Sequence, residues 1–214
     1  MSDYPMGRTM REEVADFKRA SILKEAARQF YTKGYDGTRI DEIAKVLGVT
    51  KPFIYYHFKN KTELLDEICV RATASSGEAL DRVVAHNQDA GAQLRETIRV
   101  LALQVIENQA DIAICFREEK YISTEARQRL EFNRRHYDAT LSGILIRADR
   151  EGVISVPDPT VATQVLTGAI TWSFVWYRQT GRLQPEEIAE YVVEMASAML
   201  NLEERFREGS SSAV

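Results

Sequence analysis

Apolar side chains recur along this chain at three- and four-residue spacing, and windows that alternate with period two are few. That spacing gathers apolar groups on one face of an α-helix, so the chain reads as all-α with about nine helices. The first stripe is Ile22, Ala26 and Phe30, with Leu23 and Ala27 beside it, and Gly34 is placed to end that helix in a left-handed conformation. Thr38 is an N-cap candidate for a second helix, which buries Ile40, Ile43, Ala44 and Leu47 and stops at Gly48. Thr50 caps a short third helix to about Phe58, with Pro52 in the first turn, where a missing N–H goes unused. Asn60 followed by Glu63 resembles a capping box for a fourth, which carries Leu64, Leu65, Ile68, Ala72 and Leu80.

After His86–Gly91 the pattern resumes with Leu94, Ile98, Leu101, Val105 and Ile112, as one or two helices. Ser123 caps a long helix to about Arg150, apolar at Leu130, Tyr137, Leu141, Ile144 and Leu145 and closed by Gly152. Asp158 and Pro159 open a helix over 159–180, and Pro185 opens a last one over about 185–206. The first of these two has one stripe of Ala162, Val165, Ala169, Trp172 and Trp176 and another of Leu166, Ile170, Phe174 and Tyr177. The last has Ile188, Val192, Met195, Met199 and Leu202 beside Ala189, Val193, Ala196 and Leu200. A helix apolar on two faces is buried on two sides. One side packs in its own domain, and the other is expected to meet a second copy in a symmetric four-helix interface; the competing reading is an interior helix of a monomer.

Composition narrows the class. Hydrophobic residues are 44% and charged residues 28% of 214, ordinary for a globular protein. No apolar run is long enough to span a bilayer, and the acidic N-terminus lacks a secretory apolar segment. Cys69 and Cys115, far apart in sequence and without ligand-spaced neighbours, read as buried or incidental thiols of a reducing cytoplasm. No zinc pattern, phosphate loop or dinucleotide fingerprint is present, so no metal and no cofactor is expected. The net charge of −4 is unevenly spread: residues 1–62 hold 12 Lys/Arg against 8 Asp/Glu (+4), and the remainder 16 against 24 (−8). A basic N-terminal third with an acidic remainder suits one DNA-facing surface, although random scatter gives splits of this size.

Three short helices followed by a fourth is the order of a helix-turn-helix module, with the turn Gly48-Val49-Thr50 setting a steep crossing. The residues Thr38-Arg39-Ile40-Asp41-Glu42-Ile43-Ala44, Gly48-Val49-Thr50, Tyr55-Tyr56-His57-Phe58, Lys61 and Leu64-Leu65 resemble those of the TetR family of bacterial repressors. The first helix, with its Gly34-Tyr35 exit, is similar too. Pro52 departs from the Gly of many members. The resemblance covers about residues 17–65. It implies a DNA-binding head at 17–65 and a helical ligand-binding and dimerisation domain at 66–207; the polar residues 1–16, without sustained periodicity, read as a flexible arm, and the low-complexity residues 208–214 as a disordered tail. It implies phosphate contacts from Thr38, Tyr56, His57 and Lys61, base contacts from Lys51, Pro52, Phe53 and Tyr55, and places for Arg39 and Thr50 at the DNA face. Lys51 is suited to guanine and the apolar rings to thymine methyls. Tyr55 as a core-edge aromatic and His57 as a packed ring stay open beside those roles. Lys59 reads as a solvated lysine, and Ile54 and Phe58 as core.

The segment Trp172–Arg182 with Leu183 and Pro185-Glu186-Glu187 is similar to an acyl-CoA-responsive branch of that family. The similarity implies an apolar slot lined by Phe116, Tyr121, Phe132, Trp172 and Trp176, with Arg134, Arg135 and Arg178 for phosphates; ordinary core aromatics and solvated arginines are the competing reading. The expected partners are thus a double-stranded DNA operator, a second copy of the chain and a small-molecule effector, with acyl-CoA favoured over a drug or other metabolite. An enzyme finds little support: no paired carboxylates or nucleophile arrangement stand out, and the adjacent Glu118 and Glu119 read as surface. An interaction adaptor with a degenerate head is the remaining rival.

Overall fold

The computed structural model describes residues 10–86 and 89–202. Among them the order is α1 (Met10–Gly37), α2 (Ile40–Leu47), α3 (Lys51–His57), α4 (Lys61–Ala85), α5 (Ala90–Glu107), α6 (Gln109–Arg117), a 3-10 turn (Glu119–Tyr121), α7 (Thr124–Arg150), α8 (Pro159–Thr171), α9 (Ser173–Trp176) and α10 (Pro185–Met199). The described residues are all-α, and α9 is a single turn, so counting it with α8 gives nine helices among them. The tails 203–214 and 1–9, including much of the expected arm, lie outside the described residues.

Caps explain most boundaries. Gly34 leaves the helical path of α1 at φ 76°, a conformation that a Cβ would strain. Gly48 takes φ 65° after α2, and the Val49 N–H then reaches back to the Ala44 carbonyl at 3.0 Å. The side chains of Thr50, Asn60, Ser123 and Asp158 each accept a backbone N–H of the first turn that follows. Asn60 and Glu63 do not close a box, because the Glu63 carboxylate accepts the Lys59 N–H instead.

Four boundaries differ from expectation. The helix begins at Met10, so residues 10–16 are helical rather than an arm: Glu12 and Glu13 suit the first turn, and Met10 and Val14 stand over the same shallow cleft as Phe53 and Tyr56. The N-cap of α2 is Arg39, since Thr38 turns inward. The helix expected over 159–180 ends at Thr171. The Ser173 hydroxyl donates back to the Ile170 carbonyl, and the Gln109 side chain donates to the Phe174 and Tyr177 carbonyls, so these three acceptors are paired where the helix ends. The last helix stops at Met199, where Asn201 adopts φ 50° and the Leu202 N–H returns to the Ser197 carbonyl.

Two cores result. One joins α5, α7, α8 and α10 through Leu94, Ile98, Leu141, Leu145, Leu166 and Val193. The other is the core of the three-helix head, built on Ile22, Phe30, Ile43, Ile54 and Phe58, but it also takes in Ile68 and Cys69 of α4, Ile114 of α6, and Ile122, Ala126 and Leu130. Ile114 is fully buried there, and that burial stabilises by about 1.5–3 kcal/mol. The head is therefore closed by side chains of the second half of the chain, and its packing runs past residue 65.

Candidate nucleic-acid interface and effector cavity

The short helix α3 divides its side chains cleanly. Ile54 is wholly buried and anchors the helix, while Lys51, Pro52, Tyr55 and Tyr56 face solvent, Tyr56 at 82% exposure. Tyr55 is thus exposed rather than a core-edge ring. Lys51 pairs with Asp41 at 3.1 Å, but both are exposed, and such pairs contribute only about 0–1 kcal/mol, so Lys51 is released to another acceptor at little cost. Thr50 is exposed at the N-cap, and Arg39 is exposed at the N-terminus of α2. Phe53 is half-buried, edge-on to His57 and beneath the Lys18 ammonium. The His57 ring packs against Phe53 and Tyr56, and burial, with Arg19 and Lys18 adding to it, holds its pKa below the usual histidine value. Arg19 fastens this helix to its neighbours: it donates to the His57 carbonyl, pairs with Glu67 of α4 and lies over the Phe58 ring.

Two expected phosphate anchors are engaged inside the protein. Thr38 is 1% exposed; its hydroxyl donates to the Gly34 carbonyl at 2.8 Å and its N–H to the Tyr35 carbonyl at 3.2 Å. Neither group points outward, which corrects the expectation of a hydroxyl–phosphate contact: the exit from α1 uses both. Lys61 donates to the Tyr35 and Thr38 carbonyls at 2.8 and 3.1 Å and covers the Tyr35 ring. It is first a clamp between α4 and the α1–α2 turn, with one ammonium proton left over.

The second half holds a cavity of about 560 Å³ between α4, α5, α6, α7 and α8, in the size range of small-molecule sites. Leu101, Val105, Ile112, Phe116 and Ile170 supply its apolar wall, and Asn133, Arg134, Glu119, Asp138 and Thr167 its polar one. Tyr137 lies deep in it beside Thr167, and burial pushes its phenol up to about 12, so it stays neutral. Of the residues expected at the slot, Phe116 and Arg134 line it. The others do not. Tyr121 stacks on Tyr35 at 4.5 Å and donates to Asp36, at the head junction. Phe132 is 73% exposed, and Arg135 is exposed and pairs with Glu131 on its own helix. Trp172 and Trp176 are exposed, Trp176 beside Tyr191 and Met195 of α10. Arg178 donates to the Val175 and Tyr177 carbonyls on the wall of a different groove. The early end of α8 causes these last displacements, because it turns residues 172–178 off the stripe that a continuous helix would present.

Sequence reasoning missed the junction between cavity and head. Glu118, expected at the surface, is 6% exposed: its carboxylate accepts the Tyr35 N–H at 3.2 Å and the Arg117 Nε–H at 2.8 Å. Arg117 also donates to the Phe30 and Tyr31 carbonyls, the free C-terminal acceptors of the first part of α1. Ile112, Cys115, Phe116 and Glu119 face the cavity, while Ile114, Arg117 and Glu118 face the head. An Arg-Glu pair directly after an apolar stripe was the available signal, but only the tertiary partner distinguishes a seam from a surface. Cys69 of α4 also lies against Cys115; the neighbouring thiol and burial push the Cys69 thiol well up, which keeps it unreactive. Among the described residues there is no cluster of three or more metal-ligating side chains, and no helix is long and apolar enough to cross a membrane.

The surfaces of α8 and α10 keep the two-sided pattern. Leu166, Ile170, Ala189, Val193 and Ala196 are buried, whereas Val161, Val165, Tyr191, Met195 and Met199 are exposed.

Residues 22–68 match the family described as bacterial regulatory proteins, tetR family, and residues 87–200 match the tetracyclin repressor-like C-terminal domain. The HTH-type transcriptional regulator AcrR of Shigella flexneri is 40% identical over 73 residues, so this chain matches only 34% of its length. The HTH-type regulator YhgD of Bacillus subtilis is 30% identical over 189 residues, which cover 83% of this chain and 95% of that one. Among solved structures, the TetR-family regulator PfmR of Thermus thermophilus is 29% identical with a TM-score of 0.77, over 86% of this chain and 99% of its own. AibR, solved in complex with isovaleryl coenzyme A and operator DNA, is 30% identical with a TM-score of 0.72, over 83% and 97%. With both halves matched in chain order and a relative aligned over nearly its full length, the chain belongs to the TetR family of bacterial regulatory proteins.

Proposed function

We propose that the protein is a ligand-responsive repressor. It binds a palindromic operator as a homodimer and leaves it when an effector, best matched by an acyl-CoA thioester, enters the cavity. The observation that carries this reading is the segment 112–121, which walls the cavity with one side and pins α1 and Tyr35 with the other. On DNA, Lys51, Pro52, Phe53 and Tyr55 take the base edges, Tyr56, His57 and the spare proton of Lys61 take phosphates, and Arg39 and Thr50 flank them. The exposed apolar rows of α8 and α10 pair with a second copy, which sets two heads one helical turn apart, about 34–36 Å.

Filling the cavity displaces Phe116 and Ile112, and with them Arg117 and Glu118. The head then shifts relative to α4, and two heads no longer fit both half-sites. The effector must favour the released state; moving the population from about 1:99 to 99:1 takes roughly 5.5 kcal/mol of differential affinity. The apolar wall with Arg134, together with the likeness to AibR, supports a thioester. Glu119 and Asp138 on the same wall favour a second reading, a cationic drug-like effector. The test is a gel shift on palindromic DNA upstream of the protein's own gene, with a panel of acyl-CoAs and a panel of cationic drugs added to the complex. Release by thioesters supports the first reading; release by drugs alone replaces it with the second.

A further inference from the structure

We propose that the groove between α1, α4, α6 and the segment after α9 is a second ligand subsite, which binds phosphate groups. It rests on the reading above only for the identity of the molecule, the nucleotide end of a CoA thioester. The groove encloses about 1140 Å³. Four cations reach it from three separate parts of the chain: Lys24 and Arg28 from α1, Arg71 from α4, and Arg178. Glu25 already holds Arg28 by two hydrogen bonds, which leaves Lys24, Arg71 and Arg178 against the two acids of the wall, Glu107 and Asp111.

The other three cations are available. Neither Lys24 nor Arg71 has a hydrogen-bond or ion-pair partner among the described residues, and both are exposed. Arg178 uses only Nη1 for its two carbonyls, which leaves Nε and Nη2 free to fork onto a phosphate. Burial pushes the Asp111 carboxyl upward, against the pull of Arg71.

The groove adjoins the effector cavity. Phe174 on its wall stacks on Phe116 of the cavity wall at 5.0 Å, and α6 supplies Asp111 to one space and Phe116 to the other. A cavity of 560 Å³ is drug-sized. A CoA thioester is larger, and its anionic end needs a cationic place next to the acyl slot. The groove supplies it, and it also brings the ligand against α1 of the head.

Calorimetric titration with unacylated CoA and with pantetheine, which lacks the phosphates, tests this directly. The wild type should bind CoA at least about tenfold more tightly than pantetheine. The Lys24→Ala/Arg71→Ala double variant, with an unchanged melt, should lose most of that difference while pantetheine binding stays the same. Arg135→Ala, at an exposed arginine that lines neither space, should keep the difference. Equal affinities for CoA and pantetheine, no CoA binding by the wild type, or full CoA affinity in the double variant would each overturn the proposal. If no thioester releases DNA but the double variant still loses CoA, the subsite stands and the effector assignment alone falls.

Discussion

Glu118→Ala removes one carboxylate from the seam between cavity and head. The Tyr35 N–H would then be buried without an acceptor, at a cost of about 1–3 kcal/mol. Arg117 would lose its partner as well, but its side chain is 46% exposed, so water screens that part and adds little. The expected loss is about 1–3 kcal/mol, and for a chain of this length each kcal/mol lowers Tm by about 2–4 °C. A calorimetric melt should therefore fall by roughly 2–12 °C. Glu118→Gln keeps an acceptor for Tyr35 and should lose less than half as much. In an operator-release titration the Ala variant should need more effector, because displacement of Phe116 no longer pulls on α1. A melt indistinguishable from wild type, or a Gln variant as damaged as Ala, would refute the seam as a specific coupling.

Lys51→Ala should leave the melt unchanged and cost about 1–3 kcal/mol of discrimination at one operator base pair, read by competition with single-base operator variants; a uniform loss across all sequences would make Lys51 a phosphate contact. Thr38→Val should lower stability by about 1 kcal/mol through the lost bond to Gly34, with the salt dependence of DNA binding intact; a shallower salt slope would restore the phosphate role. Because the folded His57 is protonated less readily than the unfolded one, its packing should lose stability as pH falls from about 6.5 through the lower folded value. Urea melts at about pH 7.5 and about pH 5.5 should show that loss in wild type and less of it in His57→Gln; equal losses would remove His57 as the cause. Met195→Glu, at a position 65% exposed, should yield a monomer by sedimentation and abolish operator binding, whereas a persistent dimer would place the interface elsewhere.

What could be read from the sequence follows from the range of the forces involved. Ile54 and Phe58 as core, the αL exits at Gly34 and Gly48, and the caps at Thr50, Ser123 and Asp158 depend on neighbours a few residues away, and the structure has each of them. Thr38 also satisfies the local rule for an N-cap, yet its hydroxyl finds the Gly34 carbonyl, because the left-handed exit brings that acceptor within reach. The helix expected over 159–180 ends early, at Thr171, and the segment that follows is held by a long-range partner: Gln109, sixty-five residues from Phe174, donates to its carbonyl. The effector residues fared worst. Phe116 and Arg134 reach the cavity, but Tyr121, Phe132, Arg135 and the two tryptophans do not, since residue type alone does not say which face of a helix meets an empty space. Glu118 shows the same limit in reverse, a charged residue whose burial depends on a partner eighty-three positions away.

The face carrying Lys51, Tyr55 and Tyr56 is proposed to hold duplex DNA. Fluorescence anisotropy of palindromic upstream DNA, titrated with the protein at a series of salt concentrations, measures this directly. The expected result is saturable binding whose log affinity falls linearly with log salt, with a slope of several units shared between two heads. Binding that is absent at low salt, or indifferent to salt, would contradict it and leave the helix-turn-helix as a scaffold for protein contacts.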